Sequence, residues 1–340
     1  MQPIKVGIIG CGKQAPKHIS GLRNSPGVEL VLADINYDIA RSLADRENLQ
    51  AYRSPDDIFQ DETIAAVDIC TPTPSHFPLI SKALKTGKHF FCEKPLCEDL
   101  NTAQQIGKLS KDSNRIGMIG YIYRFAPVFE KAFGICESSG EFGQSEALGR
   151  IVHAFFRIGG RGSHQVWKHQ KESGGGAINE MLVHMVDLAL WFFGEVDRVN
   201  VLSCDLMRPN RIIQGKSVTA DAEDNIIVQL HMKCGTTVTC QADLLTPAFS
   251  QYAEIQGESG TFMGSIQADM PSFVFCEEGV DQYKKGKNIL NFEKTNLFER
   301  QMKAFIDAVR VQKDPMRSTI MDSIRLIEVM DEIKRRTKIQ

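Results

Sequence analysis

Much that would assign this chain to a specialised class is missing from it. Its nine cysteines are dispersed and form no Cys-x-x-Cys pair, which removes a zinc ribbon and a disulfide scaffold. An odd, scattered set predicts reduced thiols in a cytoplasmic protein. Charge of either sign is not in excess: 40 Lys and Arg against 42 Asp and Glu give a formal −2. Without a long Lys/Arg run there is no electrostatic footprint for nucleic acid. No apolar run is long enough to span a bilayer, and the best candidate, Met181 to Phe193, is interrupted by His184 and Asp187. The start, Met1-Gln2-Pro3-Ile4-Lys5-Val6, enters a strand pattern at once, so no signal peptide is expected. Repeats, low-complexity tracts and long linkers are also lacking. What remains is 340 residues, 42% of them apolar, enough for two domains with buried cores.

The first third alternates two kinds of segment. Residues 4–9, 28–33, 65–70, 89–92 and 116–119 are apolar on both sides, as strands covered on each face must be. Residues 17–24, 38–47, 77–86 and 102–112 carry helical patterns between them. This βαβ series predicts a Rossmann-type, doubly wound parallel sheet over residues 1–124. After Arg124 the pattern changes. In 225–232, Ile226, Val228, Leu230 and Met232 share one face while Gln229 and His231 share the other. Cys234-Gly235 then leads into a second alternating run, a hairpin signal, and 252–256 with 261–266 repeat it. Residues 125–340 are therefore expected to form a second domain with an antiparallel sheet. A helix is predicted over 176–193, and the final helices, 297–309 and 319–335, can pack back on the first domain.

Val6-Gly7-Ile8-Ile9 runs into Gly10-Cys11-Gly12-Lys13-Gln14-Ala15. Strand, Gly-x-Gly-x-x-Ala, then helix is a dinucleotide fingerprint in its expected context. Gly10 serves the tight turn, Gly12 the approach of a pyrophosphate, and Ala15 the close packing of helix on strand. Lys13 and Gln14 complete the loop. Asp34 ends the second strand, 24 residues beyond Gly10. An acid there accepts ribose hydroxyls and repels a 2′-phosphate, predicting NAD rather than NADP. Thr71-Pro72-Thr73-Pro74-Ser75-His76 follows the next apolar run, with Ser75 placed to cap a helix. It is either a rigid turn or a second ligand-facing loop.

Glu93-Lys94-Pro95 leaves the apolar run His89-Phe90-Phe91-Cys92. Two charges at the end of a buried strand are costly without partners or a task, and strand carboxyl ends are where ligands lie in such sheets. A lysine there holds an oxyanion or relays a proton. In the second half, Ser173-Gly174-Gly175-Gly176 precedes Glu180, His184 and Asp187, whose spacings of four and three share one helical face. A histidine with a carboxylate one turn away is the make-up of a general base; an internally paired patch is the other reading. No further His or Cys sits at ligand spacing, so no metal is predicted. Arg157, Arg161, Lys168 and Lys171, with Trp167, His164 and His169 between them, outnumber Glu172. They form a solvated loop or a basic rim for an anionic substrate.

Taken together, Gly-x-Gly-x-x-Ala, Thr71-Pro72 with His76, Glu93-Lys94-Pro95, and the triple glycine with Glu180-x-x-x-His184-x-x-Asp187 resemble the glucose–fructose oxidoreductase/inositol 2-dehydrogenase family (Gfo/Idh/MocA). The resemblance implies a Rossmann domain followed by an α/β domain on a large, open, mostly antiparallel sheet, and oxidation or reduction of sugars, inositols or nucleotide sugars with NAD or NADP. It implies that Lys94 lies between nicotinamide and substrate, with a cis Lys94-Pro95 bond. Thr71, Pro72, Thr73, His76 and Glu93 fall among the cofactor-binding positions, and Glu180 and His184 contact the reacting hydroxyl. Arg124, before Phe125, and Trp167 with Lys168 fall near the substrate. Glu180 stands where an aspartate is usual, which points to a less typical substrate, and Thr73 stands where an asparagine is common.

The expected function is hydride transfer between NAD and a secondary alcohol of a sugar or nucleotide sugar, an anionic substrate being favoured by the basic stretch. Two alternatives are a redox-assisted glycosidase, revealed by sugar release without net NADH, and a non-catalytic NAD sensor. The resemblance also implies a homodimer or homotetramer paired through the open sheet face that carries Ile227, Gln229, His231, Thr237, Thr239 and Gln241.

Overall fold

The structure, a computed structural model, describes residues 3–161, 165–213, 215–280, 282–313, 315 and 317–337. It divides into two compact units: Met1–Phe125 with Thr295–Ile327, and Ala126–Lys294 with Glu328–Gln340.

The first unit is built on strands β1 (Ile4–Ile9), β2 (Val28–Ala33), β3 (Gln50–Ala51), β4 (Ile64–Ile69), β5 (His89–Cys92) and β6 (Gly117–Ile119). They alternate with helices α1 (Ala15–Arg23), α2 (Tyr37–Glu47), α3 (Pro55–Gln60), α4 (His76–Lys85) and α5 (Leu100–Ser113). Every pairing is parallel and the spatial order is β3-β2-β1-β4-β5-β6. The order reverses between β1 and β4, a topological switch point where the strand ends open a crevice for a ligand. Five strand positions matched the apolar runs because both faces of this sheet are buried. The two-residue β3 and the short α3 had no such run to reveal them; α3 instead starts at Ser54 with a capping box to Asp57 and Pro55 in its first turn.

In the second unit α6 (Pro127–Cys136) precedes β7 (Gln144–Ser145) and β8 (Gly149–Gly159). A π-helical turn, Ile178–Leu182, continues into α7 (Val183–Phe193). Then come β9 (Val196–Asp205), β10 (Asn210–Ile213), β11 (Lys216–Thr219), β12 (Asn225–Met232), β13 (Thr237–Asp243), β14 (Ser250–Gly257), β15 (Gly260–Ser265), β16 (Ser272–Cys276) and β17 (Gly286–Leu290). The large sheet runs β17-β16-β15-β14-β8-β13-β12-β9 and is antiparallel except where β13 meets β8. The β12–β13 hairpin pairs Ile226 with Ala242 and His231 with Thr237. Ile226, Val228, Leu230 and Met232 are buried, while Ile227, Gln229 and His231 are half-exposed on the opposite face. Under the buried face lies α7, almost wholly apolar, with Phe192 edge-on to Phe156 of β8 at 5.6 Å.

The second unit starts at Ala126, and residues 295–327 belong with the first. They include helix α8 (Leu297–Val311), whose Met302, Phe305 and Ile306 join the core formed by Ile8, Ile19 and Leu22. A final helix, α9 (Ile320–Arg336), contains the last division between the units. Among the described residues no helix is long and apolar enough to cross a membrane, and all nine cysteines are free thiols.

Candidate active site

In the first unit the predicted residues gather at the carboxyl ends of the parallel strands. Gly10 follows β1 with φ +94°, and a Cβ there would stand 2.8 Å from the Cys70 carbonyl. Only glycine fits. Gly12 is the opposite case: a Cβ would meet nothing within 4 Å, so the backbone faces open space. Helix α1 begins at Ala15 with no side-chain cap on its N-terminus, and Pro16 occupies the first turn. Its free N–H groups and dipole are suited to an anion. Gln14 Oε1 is buried and finds no hydrogen-bond donor among the described residues, while Lys13 is exposed.

Asp34, at the end of β2, accepts hydrogen bonds from the Cys11 N–H (2.8 Å) and from the Asn36 N–H (2.9 Å). This fixes the carboxylate against the glycine loop with acceptor capacity left over, since two carboxylate oxygens offer about four lone-pair sites. Burial and the nearby Asp34 charge push the Cys11 thiol up to about 12, so it stays protonated. An open glycine, an uncapped helix start, an unfilled amide oxygen and a fixed carboxylate fit a dinucleotide.

The loop after β4 makes a 3₁₀ turn over Thr73–Ser75. Ser75 stands at the N-cap position of α4 without capping it; its hydroxyl donates back to Thr71 Oγ1 and the Pro72 carbonyl. His76, expected to touch the cofactor, is buried, with Nδ1 on the Pro95 carbonyl (2.8 Å) and Nε2 on the Thr71 carbonyl (2.9 Å). Both ring nitrogens are committed, so His76 ties the Thr71 loop to the Lys94-Pro95 turn. That peptide bond is cis.

Glu93 and Lys94 part company at the end of β5. Glu93 Oε1 turns inward onto His18 Nε2 of α1 (2.8 Å), and Oε2 accepts the Lys94 N–H (3.1 Å). His18 Nδ1 meets Asp68 of β4 at 2.9 Å. The Lys94 side chain is half-exposed, and its ammonium has no ion-pair partner among the described residues. His18 and Asp68 escaped the motif-based reading. Two signals pointed to them: His18 shares the apolar face of α1 with Ala15, Ile19 and Leu22, and Asp68 interrupts a buried strand. The ligating atoms of His18, Asp68 and Cys70 lie within 4.8 Å of one another. Here both ring nitrogens are bonded to carboxylates, and burial together with the Asp68 charge drives the Cys70 thiol far above its ordinary range.

Arg124, expected near the substrate, is buried instead. Its guanidinium pairs with Asp322 at 3.1 Å and lies over the Tyr121 ring, while its carbonyl accepts from Arg317. A side chain held this way braces the chain after β6.

In the second unit Glu180 lies within the π-helical turn and His184 in the first turn of α7; both are half-exposed, whereas Asp187 is buried. A π turn inside a helix is a frequent mark of a functional site. Lys168 forms an ion pair with Glu180, and its ammonium lies 5.4 Å from the Trp167 ring. Trp167 itself is 41% exposed. Two of the three glycines make less room for a ligand than expected, while a Cβ on Gly174 would meet nothing within 4 Å. A Cβ on Gly175 would sit 2.6 Å from the backbone of Trp167 and Lys168, and one on Gly176 would sit 2.2 Å from Glu223 Oε1. Glu223 fills the helix start, accepting the Ile178 N–H at 3.0 Å, and burial raises its pKa above the usual carboxylate value.

Half of the basic stretch is neutralised. Arg157 pairs with Asp243 (2.9 Å) and Lys168 with Glu180, leaving Arg161 and Lys171 exposed; His164 lies outside the described residues.

The profile of an oxidoreductase family with an NAD-binding Rossmann fold matches residues 4–121, and that of the GFO/IDH/MocA C-terminal domain matches residues 141–263. The chain belongs to the Gfo/Idh/MocA family of NAD-binding oxidoreductases. It is 27% identical over 316 residues to a levoglucosan dehydrogenase of Pseudarthrobacter phenanthrenivorans, covering 83% of this chain and 79% of that one. An inositol 2-dehydrogenase of Corynebacterium glutamicum strain R is 25% identical over 317 residues, covering 90% and 86%. In fold the chain is similar to a levoglucosan dehydrogenase solved with NADH and levoglucosan, with a TM-score of 0.84 at 21% identity over 98% of this chain and 97% of that one.

Proposed function

We propose that this Gfo/Idh/MocA oxidoreductase transfers a hydride between NAD and a secondary alcohol of a sugar or related polyol. The observation that carries the reading is the separation of the two charges leaving β5: Glu93 is turned inward and paired, while the Lys94 ammonium is left for another partner. The redox capacity itself is the nicotinamide's own chemistry. Gly12 and the uncapped start of α1 hold the pyrophosphate, Gln14 supplies a waiting acceptor, and Asp34 accepts the ribose hydroxyls. His184 takes the proton of the reacting hydroxyl, and Glu180 fixes a neighbouring hydroxyl with Lys168. Lys94 polarises the reacting oxygen. A general acid or base acting on the reacting group contributes about 10²- to 10⁴-fold.

The pairing of Arg157 and Lys168 removes much of the ground for an anionic substrate. A neutral polyol, held by hydroxyl-directed groups, suits these residues better, in keeping with the levoglucosan and inositol named for the relatives. The half-exposed sheet face bearing Ile227, Gln229, His231, Thr237, Thr239 and Gln241 pairs with a second copy across a symmetry axis; light scattering giving only the 38.0 kDa monomer mass would oppose that. The activity is tested by following NADH absorbance with sugars, inositols and nucleotide sugars. Reduction of NAD by neutral polyols is expected. Sugar release without net NADH, or NAD binding with no turnover on any member, would overturn the proposal.

A further inference from the structure

Helix α1 does more than present its N-terminus to a nucleotide. His18, one turn further along, is wholly buried beneath the glycine loop, and each ring nitrogen faces a carboxylate: Nδ1 meets Asp68 Oδ2 at 2.9 Å and Nε2 meets Glu93 Oε1 at 2.8 Å. Ionised carboxylates only accept hydrogen bonds, so satisfying both requires a proton on each nitrogen, and the ring is an imidazolium. Asp68 and the Cys70 thiol (3.1 Å from Nδ1) approach from the β4 side, and Glu93, with Lys94 beyond it, from the β5 side. The Phe91 ring of β5 and the Phe298 ring of α8 also lie against it, at 5.5 and 5.6 Å. One imidazolium thus stands between two carboxylates, Asp68 fully buried and the Glu93 side chain 14% exposed.

Without the imidazolium, Glu93 would have two ways to relieve its burial: take up a proton, or swing onto the ammonium of Lys94. Burial pushes Glu93 up, yet the His18 hydrogen bond and charge, with Lys94 and its N–H, outweigh burial and hold the carboxyl below its ordinary value. Burial likewise opposes the charged ring, but the Asp68 charge heads the effects that hold His18 well above the usual imidazole range.

We infer that His18 is a positioning residue: it keeps Glu93 anionic and turned inward, so that the Glu93-Lys94-Pro95 turn is fastened to the nucleotide-binding helix and the Lys94 ammonium is left free to act. This rests on the reading of Lys94 given above.

The test uses the full-length protein. Nitrogen-15 NMR of histidine-labelled wild type should show both His18 ring nitrogens protonated from about pH 6 to 8, well above the free imidazole pKa of about 6.5; a singly protonated ring at neutral pH overturns the inference without any variant. In His18→Gln, Glu93 should take up a proton near neutrality. The infrared carbonyl band of a buried carboxylic acid then appears, and it vanishes in the His18→Gln, Glu93→Gln double variant. With levoglucosan and myo-inositol as alcohols, His18→Gln should lose about 10²-fold in kcat, the scale of a misplaced reacting group, while KM for NAD stays within about threefold. An unaltered kcat and no carbonyl band overturn the role of His18. Full turnover in Lys94→Ala overturns instead the role of Lys94, which separates the two failures. If neither alcohol reacts, the NMR and infrared measurements alone decide.

Discussion

Gly12 and Gly176 both stand beside the start of a helix, yet they face opposite surroundings. A Cβ on Gly12 would meet nothing within 4 Å, whereas one on Gly176, at φ +104°, would collide with Glu223. The first helix start is uncapped and open; the second already holds a protein carboxylate that accepts the Ile178 N–H. A glycine before a helix is therefore not in itself a ligand site. What decides is whether the chain fills the space it leaves. The same contrast separates Glu93 from Lys94, neighbours of which one is satisfied inside the first unit and the other is not.

The largest test removes the unsatisfied charge. Lys94→Ala should lower turnover by about 10²-fold or more, the scale of a positioned proton-transfer group, with NAD affinity nearly unchanged; stopped-flow kinetics and fluorescence titration measure both. His184→Ala should lose a comparable factor, part of it regained at higher pH, where the alcohol needs less help to ionise. A variant with normal turnover would return that residue to a structural role.

Gly176→Ala should be next. A side chain at positive φ and a collision with a buried carboxylate cost about 1–3 kcal/mol, read as a lower denaturant midpoint, with NAD affinity unaltered because the change lies in the second unit. Gly12→Val reverses the pattern. Stability should hold within about 0.5 kcal/mol, as for surface changes generally, while NAD affinity falls tenfold or more by calorimetry. If both glycine variants behaved alike, the contrast between open and filled helix starts would fail. Asp34→Asn should narrow the preference for NAD over NADP by removing the charge that repels a 2′-phosphate; an unchanged ratio of dissociation constants would place the discrimination elsewhere.

The smallest effect concerns pH. His89 begins β5, its Nδ1 accepting the Ile116 N–H at 2.9 Å, and burial, helped by Arg115, lowers its pKa to about 4. Below the ordinary value of about 6.5 the unfolded chain binds a proton that the folded chain refuses, so this group's contribution is complete above pH 6.5 and declines toward pH 4. Denaturant midpoints at intervals through that window should fall less steeply in His89→Gln than in the wild type. Equal slopes would mean that the histidine titrates normally.

Much of the site was legible in linear order because its rules are local. Tight turns need Gly10 whatever surrounds them, an acid must end the second strand to meet a ribose, and buried strands must be apolar on both faces. The alternation in β12 likewise fixed which residues face inward. Other contacts had no local signature. Nothing within the segments containing Arg157 and Arg124 announces that Asp243 and Asp322 will neutralise them. Glu223, 43 residues beyond Glu180, reaches the helix start only through the folding of the sheet.

By itself, then, the sequence determined the parallel sheet, the dinucleotide loop and the set of ionisable groups available for chemistry, since these follow from periodicity, glycine sterics and residue type. Only the tertiary structure decided which of those groups are spent. Charge pairing acts over a few ångströms between residues tens to hundreds of positions apart, and burial makes each pairing strong enough to choose Glu93 for the interior and leave the Lys94 ammonium without an ion-pair partner among the described residues.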